Sequence, residues 1–353
     1  MKNLHSYISV LALILAILFS GCKTQDTSSF PNTISLKGKL LSIGDKIGQV
    51  HSLEAVDDYL IFTDYQEESQ YTILKPDLSY CFYFGRKGQG PREMPQSSGV
   101  KMIRNGHLIL SDGYRLYRHS LDSLYHSIDH PIPSPKSDKI DTNVWVSDLT
   151  DSLFIATGTF PNGKRFKIFD NKGTPLAYIG DYPLDEKIDL PFYVIGSAYV
   201  SMMTSHPTSN RFAVGTNYGG MLDVMEWNAS DYTLNRIGGV CEFKPQVSSK
   251  SYQGTPNFVP NEKTRWGYLN MDSDANYIYA LYSGRFQIKG TRYWWGNTIH
   301  VFDWNGTPVC QIKLDKDVRD IAVMKNKLYA LYEDADIGYE IMEYVLPDNW
   351  TKK

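Results

Sequence analysis

The chain has 353 residues, and 36 Lys and Arg stand against 39 Asp and Glu for a formal net charge of −3. The two signs are scattered with no basic stripe, which argues against a nucleic acid as partner. The length is large for one ordinary core and points to a β-architecture or a repeat.

At the N-terminus Lys2 supplies a positive start, residues 8–19 are almost wholly apolar, and Phe19-Ser20-Gly21-Cys22 closes the run with small residues. The apolar run is short for a bilayer, so residues 1–21 read as a signal peptide. The cysteine at the cleavage point resembles the lipobox of bacterial lipoproteins, with Phe19 where that motif usually has Leu. The resemblance implies an acylated Cys22, held by several chains at about 0.8 kcal/mol per buried CH₂. Lys23 stands where inner-membrane retention resembles an Asp, so the implied address is the outer membrane, on its periplasmic or cell-surface face. Residues 22–31 form a polar, flexible tether. With Cys22 acylated, Cys81, Cys241 and Cys310 remain; one disulfide is open to them, but their strand-like surroundings favour buried free thiols.

From residue 32 onward no long stretch carries a 3.6-residue apolar period. A strand-like run, Thr33 to Leu41, comes first. Then one phrase recurs: a strand, a tight polar turn, and a strand ending in small or aromatic residues. It starts at Val50 ("VHSLEAVDDYLIFTDY"), Gly99, Val144, Ala198, Gly267 and Val318 ("VRDIAVMKNKLYALYED"). The intervals are somewhat longer than the ~40–50 residues usual for propeller blades. Two further strands follow most copies, and Asn171-Lys172-Gly173 and Asn305-Gly306 have the chemistry of hairpin turns. The expected fold is therefore all-β: a six-bladed β-propeller over residues 32–353, with four antiparallel strands per blade. After the last phrase only "YEIMEYVLP" remains, so the sixth blade lacks a strand. Thr33 to Leu41 is predicted to supply it and close the ring.

"FGRKGQGP" from Phe84, followed by "GVKMIRNGHLILSDGYRLYRHSL", is similar to the inter-blade motif of NHL-type repeats. Arg92 and Met94 stand where those repeats favour Gly and an aromatic residue. The whole chain after Cys22 resembles the TolB-like six-bladed propeller lipoproteins of Bacteroidetes. That resemblance implies the fold and the anchor, and it brings no catalytic residue with it.

The Gly-rich stretch after Phe84 lacks the Gly-Lys-Ser/Thr ending of a phosphate loop and runs into a strand, not a helix, so it reads as a blade connector. Connectors of this kind open on the funnel face, which places Arg86, Lys87 and Arg92 on its rim. Two long loops share that face, residues 239–265 and 283–297. Tyr293, Trp294 and Trp295, with Trp266 and Tyr252, form an aromatic group beside Arg265, Arg285 and Arg292. Aromatic faces next to Arg suit sugar rings, extended peptides or anionic groups; the alternative is that these rings pack the loops onto blade five.

Signals of catalysis are sparse. "DSDAN" (Asp272 to Asn276) lacks the glycine and the closing Glu of a calcium loop and reads as a hairpin turn. The eight histidines show no zinc spacing, and no Gly-x-Ser-x-Gly elbow occurs. The innermost strands would carry His51, Glu54, Lys101, Arg104, Asp148, Asn270, Asp272, Arg319 and Asp320 toward the channel. Ser123 and Ser152 sit in Asp-Ser-Leu triplets that resemble O-glycosylation acceptors. The reading from sequence is a membrane-anchored, non-catalytic propeller that needs no cofactor and binds a protein, peptide or glycan on its loop-rich face. Its alternative is a calcium-dependent lactonase- or esterase-like hydrolase, with Glu54 and Asp272 as metal ligands.

Overall fold

A strand-turn-strand phrase with apolar residues on both faces can bury itself only by pairing within its own sheet and stacking between two neighbours. In the computed structural model it does so throughout residues 30–64, 68–79, 81–88, 93, 99–101, 107–111, 116–120, 143–160, 163–185, 187–334 and 338–347, which are the residues described. The signal peptide, Cys22, Arg92, Arg104 and Ser123 lie outside them.

Six sheets form the blades. Blade 1 is Val50–Val56, Tyr59–Asp64, Ser69–Leu74 and Cys81–Arg86. Blade 2 is described as backbone in three strands, Gly99–Lys101, His107–Ser111 and Leu116–Ser120. Blade 3 runs from Asn143–Asp148 to Pro175–Ile179, and blade 4 from Ser201–Ser205 to Thr233–Cys241. In blade 5, Tyr268–Ser273, Tyr277–Tyr282, Gly296–Asp303 and Pro308–Val318 follow one another. Blade 6 contributes Asp320–Met324, Lys327–Asp334 and Gly338–Val345.

The apolar core is divided into slabs between blades. Leu53, Leu60 and Phe62 of blade 1 pack against Ala322, Tyr329 and Leu331 of blade 6, and Leu281, Ile299 and Val301 of blade 5 meet Ile321, Leu328 and Ala330 on the other side. This two-sided burial explains why second strands such as "YLIFTD" read as continuous apolar runs.

The ring closes as expected but with a different division of labour. Lys39–Leu41 pairs antiparallel with Gly338–Val345, Leu41 opposite Ile341, and completes blade 6. Thr33–Leu36, expected in the same strand, instead pairs parallel with Pro308–Val318 as a fifth strand of blade 5, Thr33 opposite Gln311. The chain crosses between blades at Gly38, whose N–H donates to Asp315 Oδ1 at 3.1 Å. A Cβ there would lie 2.7 Å from the Met342 side chain and 2.8 Å from Tyr344, so the crossing has room for a hydrogen and little else. One N-terminal segment thus fastens the last two blades together.

Two elements depart from the four-strand plan. A short helix, Phe192–Ala198, lies in the connector from blade 3 to blade 4, and a hairpin, Ser249–Tyr252 with Thr255–Phe258, fills the loop between blades 4 and 5. They meet around Tyr199 and Met221, where Val247 and Phe258 pack. Asp274 Oδ1 accepts the N–H groups of Asn276 and Tyr277 at 2.7 and 2.8 Å, so "DSDAN" is the hairpin turn its sequence suggests. Cys81, Cys241 and Cys310 are free thiols, Cys310 fully buried.

Candidate functional site

Innermost strands of a propeller run in one direction, so their first residues gather at one face. In blades 1, 3 and 5 the pairing with the second strand slips by a residue at that end, between Val50 and Ser52, Asn143 and Trp145, and Tyr268 and Asn270. Such bulges re-aim the side chains beside them. Residues at the start of the innermost strands then line a common funnel: His51, Trp145, Met202, Leu269 and Arg319 all border one cavity of about 300 Å³. Ser52, Asn270 and Asp320 follow them inward, and Asn217, Trp266 and Trp294 complete the wall from loops of blades 4 and 5.

The blade 5 side is built to be stiff. The connector before Tyr268 and the loop 283–295 zip together: Trp266 N–H donates to Arg285 O at 2.8 Å, Gly284 N–H to Trp266 O at 2.9 Å, and Gln287 N–H to Thr264 O at 2.9 Å. The Trp266 indole N–H donates to Gln287 Oε1 at 3.1 Å, fixing its ring. Gly267 N–H donates to Asn217 O at 2.6 Å, and a Cβ at Gly267 would come within 1.8 Å of the Gly219 carbonyl oxygen. Only a glycine permits this backbone contact, and it sets Trp266 beside Asn217.

An aromatic row crosses the rim. Trp294 meets Tyr293 edge-on with centroids 4.5 Å apart, Tyr293 lies 5.3 Å from Trp266, Trp266 4.9 Å from Tyr218, and Tyr218 5.1 Å from Phe258. These are favourable ring spacings. Burial, with Tyr293 adding to it, pushes the Tyr218 phenol above its ordinary value. Trp294 is 43% exposed, whereas Trp295 is 2% exposed and belongs to the core. Tyr252 lies on the hairpin, exposed to solvent.

The arginines of this region support the loops. Arg265 pairs with Glu242 at 2.7 Å, donates to Gly284 O at 2.9 Å and stacks over Phe243 at 4.4 Å. Arg285 pairs with Asp317 at 2.6 Å and donates to Arg292 O at 3.1 Å. Arg292 sits 4.8 Å over the Trp295 ring and 3.7 Å from Glu333. Arg86 lies on the last strand of blade 1, 3.7 Å from Glu93, and Lys87 N–H donates to Glu68 O at 2.9 Å; both belong to the blade 1 connector and do not border the cavity. Ser152 is exposed in a turn of blade 3.

Two charged residues that border the funnel bond to the blades around them. Arg319 donates to Tyr339 Oη at 2.8 Å and to Val50 O at 3.3 Å. Asp320 accepts Leu53 N–H at 3.0 Å and Ile321 N–H at 2.8 Å, tying blade 6 to blade 1. Asp272 does the same between blades 5 and 6, accepting Val323 N–H at 2.6 Å and Ser273 N–H at 2.7 Å. Ser147 with Ser205, and Thr204 with Ser273, bridge the next seams at 2.8 Å each. Asp272 is therefore a clamp between blades. Glu54 lies on the innermost strand of blade 1, with blade 6 between it and Asp272. Among the described residues no three His, Cys, Asp or Glu side chains are grouped to hold a metal.

Two carboxamides also belong to this wall. Asn217 and Asn270 are each 6% exposed, and the carboxamide oxygen of each is buried without a hydrogen-bond partner among the described residues. Sequence reasoning pointed to Trp266, Trp294, His51, Asn270, Arg319 and Asp320, and the structure gathers these in one wall. It missed Trp145, Met202 and Asn217; the signal for the first two was their place as second or third residue of an innermost strand. A wider depression of about 480 Å³ lies on the opposite face, where Lys325 pairs with Asp58 and Lys327 with Glu343.

A family model described as TolB-like 6-blade propeller-like matches residues 32–326. Among solved structures, a DUF4221 family member from Bacteroides vulgatus is similar with a TM-score of 0.50 at 9% identity, over 85% of this chain and 92% of that one. An auxiliary nutrient binding protein from Bacteroides thetaiotaomicron is similar with a TM-score of 0.45 at 10% identity, over 85% of this chain and 70% of that one. A search of curated proteins returned no match. Six antiparallel blades, an N-terminal strand closing the last of them and a match over most of the length place this chain in the TolB-like six-bladed propeller family.

Proposed function

We propose that the protein is a non-catalytic binding propeller of the cell envelope, anchored at the outer membrane through an acylated Cys22, which captures its ligand or the tip of a partner in the funnel mouth. The observation that carries this reading is the cavity bordered by Trp145, Trp266 and Trp294. Its rim loops are held in place by Arg265, Arg285 and Arg292 before any ligand arrives, and preorganisation of this kind lowers the cost of binding. Small-molecule sites have this character: concave, mostly apolar, with a few placed polar groups.

The anchor is supported by the lipobox-like N-terminus and by where the fold begins. Phe30 packs 4.3 Å from the His300 ring and 5.4 Å from Phe302, and Thr33 pairs with Gln311, near the Asn305-Gly306 turn that lies away from the funnel. A tether leaving from there leaves the mouth free to face away from the membrane.

A thermal-shift screen of the purified protein against neutral saccharides, peptides, amines and carboxylates tests the binding reading. A ligand at a hundred times its dissociation constant adds about 2.7 kcal/mol, or about 4 °C for a domain of this size. At least one class is expected to raise the melting temperature of the wild type and not of Trp294→Ala. Equal shifts in both proteins, or none in either, would contradict it.

A further inference from the structure

We infer that the funnel mouth takes a small monocarboxylate on an apolar body, the carboxylate held side-on by Arg319 and the body covered by indoles. The inference rests on the mouth being a binding site and names what it binds.

The anion follows from how Arg319 is used. Among the described residues only its Nη1 is engaged, donating to Tyr339 Oη at 2.8 Å and to Val50 O at 3.3 Å, two neutral acceptors. Nε and Nη2 have no partner among the described residues, and neither is shut off from solvent. These two nitrogens form the side-on edge of the guanidinium, whose parallel N–H groups match the two oxygens of a carboxylate. The one carboxylate on the cavity border among the described residues is Asp320. It is 5% exposed, and its two oxygens accept Ile321 N–H and Leu53 N–H, so a ligand meets the guanidinium edge and not the acid.

The body follows from the rest of the wall. Trp145, Trp266 and Trp294 border the same cavity, and the Trp266 ring is fixed by its bond to Gln287. Flat apolar walls suit a ring or a short hydrocarbon, and about 300 Å³ is at the small end of ligand cavities. A single guanidinium answers a single negative charge and leaves a phosphate dianion in excess. A neutral ligand gives the N–H edge at most a weaker, uncharged acceptor, and an ammonium meets a like charge.

The test is isothermal titration calorimetry of the purified protein with phenylacetate, its neutral isostere phenylacetamide, phenethylammonium, and acetate as an anion with no apolar body. N-acetylphenylalanine presents the same groups as the end of a peptide chain. Phenylacetate is expected to bind saturably, and phenylacetamide and acetate each at least about tenfold more weakly. Arg319→Gln should lose the preference for acid over amide, Arg319→Lys should keep part of it, and Trp294→Ala should weaken acid and amide alike. Tighter binding of N-acetylphenylalanine than of phenylacetate would support a chain end as the source of the carboxylate, and weaker binding a free acid. Equal binding of phenylacetate and phenylacetamide, or an acid preference that survives Arg319→Gln, would overturn the carboxylate and leave the mouth as a binding site. The acid–amide comparison is made on the wild type and decides even where Arg319→Gln fails to fold. No saturable binding of any probe would overturn both the carboxylate and the mouth.

Discussion

Replacing Asn270 by leucine should raise the melting temperature. Asn270 is 6% exposed on the innermost strand of blade 5, and its carboxamide oxygen has no partner among the described residues. Leaving such an acceptor buried and unmade costs about 1–3 kcal/mol, and an apolar side chain of similar shape removes that cost. Unfolding entropy of ~2.1 cal/mol/K per residue over about 320 residues gives ~0.7 kcal/mol/K, so the gain corresponds to an upward shift of about 1.5–4 °C. Differential scanning calorimetry reads the shift, and near-ultraviolet circular dichroism checks that the aromatic packing is kept. Asn270→Asp is the counter-experiment, since a charged carboxylate taken out of water at a 6% exposed position costs more than the carboxamide and should lower the melting temperature. A fall of 2 °C or more in Asn270→Leu would refute the reasoning, because it would mean that the carboxamide is already satisfied in the ligand-free protein.

The adjacent tryptophans should behave oppositely: Trp294→Ala changes the melting temperature by about 1 °C at most, whereas Trp295→Ala costs about 3–5 kcal/mol because the ring is core, and urea denaturation compares them. Gly267→Ala drives a methyl into the Gly219 carbonyl, so a loss of about 1–3 kcal/mol and an altered tryptophan emission spectrum are expected; a wild-type spectrum would show that the connector absorbs the methyl without moving Trp266. His300 gives a pH signature. Burial, reinforced by the Lys313 charge, lowers its pKa to about 3, so the folded protein keeps it neutral while the unfolded chain protonates it near 6.5. Stability from this group is fully present above ~6.5 and is lost as pH falls toward 3, at up to about 1.4 kcal/mol per unit. His300→Phe should flatten the stability profile between pH 6 and 4, and an unchanged slope would count against a buried neutral imidazole.

Much of the fold was legible because a propeller writes its geometry into the sequence repeatedly: each blade needs the same turn chemistry and the same doubly buried second strand. The division of Thr33 to Leu41 was not. Its apolar pattern runs through Lys37-Gly38 without a break, and the partner that bends it, Asp315, is 277 positions away. The site was partly legible for a related reason. Long aromatic loops announce Trp266 and Trp294 by composition alone, but Glu242, Asp317 and Glu333, which occupy the arginines, are marked by nothing local. Trp294 and Trp295 are neighbours in sequence and diverge because strand pairing starts at Gly296, which turns one ring into the core and leaves the other on the rim. Asn217 sits in an ordinary loop and gains its meaning only from the close backbone contact that Gly219 and Gly267 allow.

The most direct test of the funnel as the binding site is fluorine NMR of the protein labelled with 5-fluorotryptophan, which places a probe at each of its seven indoles. On titration with a ligand that raises the melting temperature in the thermal-shift screen, the resonances of Trp145, Trp266 and Trp294 should move together, while those of Trp227, Trp295 and Trp304, buried away from the mouth, stay in place. Movement confined to the buried indoles, or binding that leaves the three mouth resonances unshifted, would contradict the account.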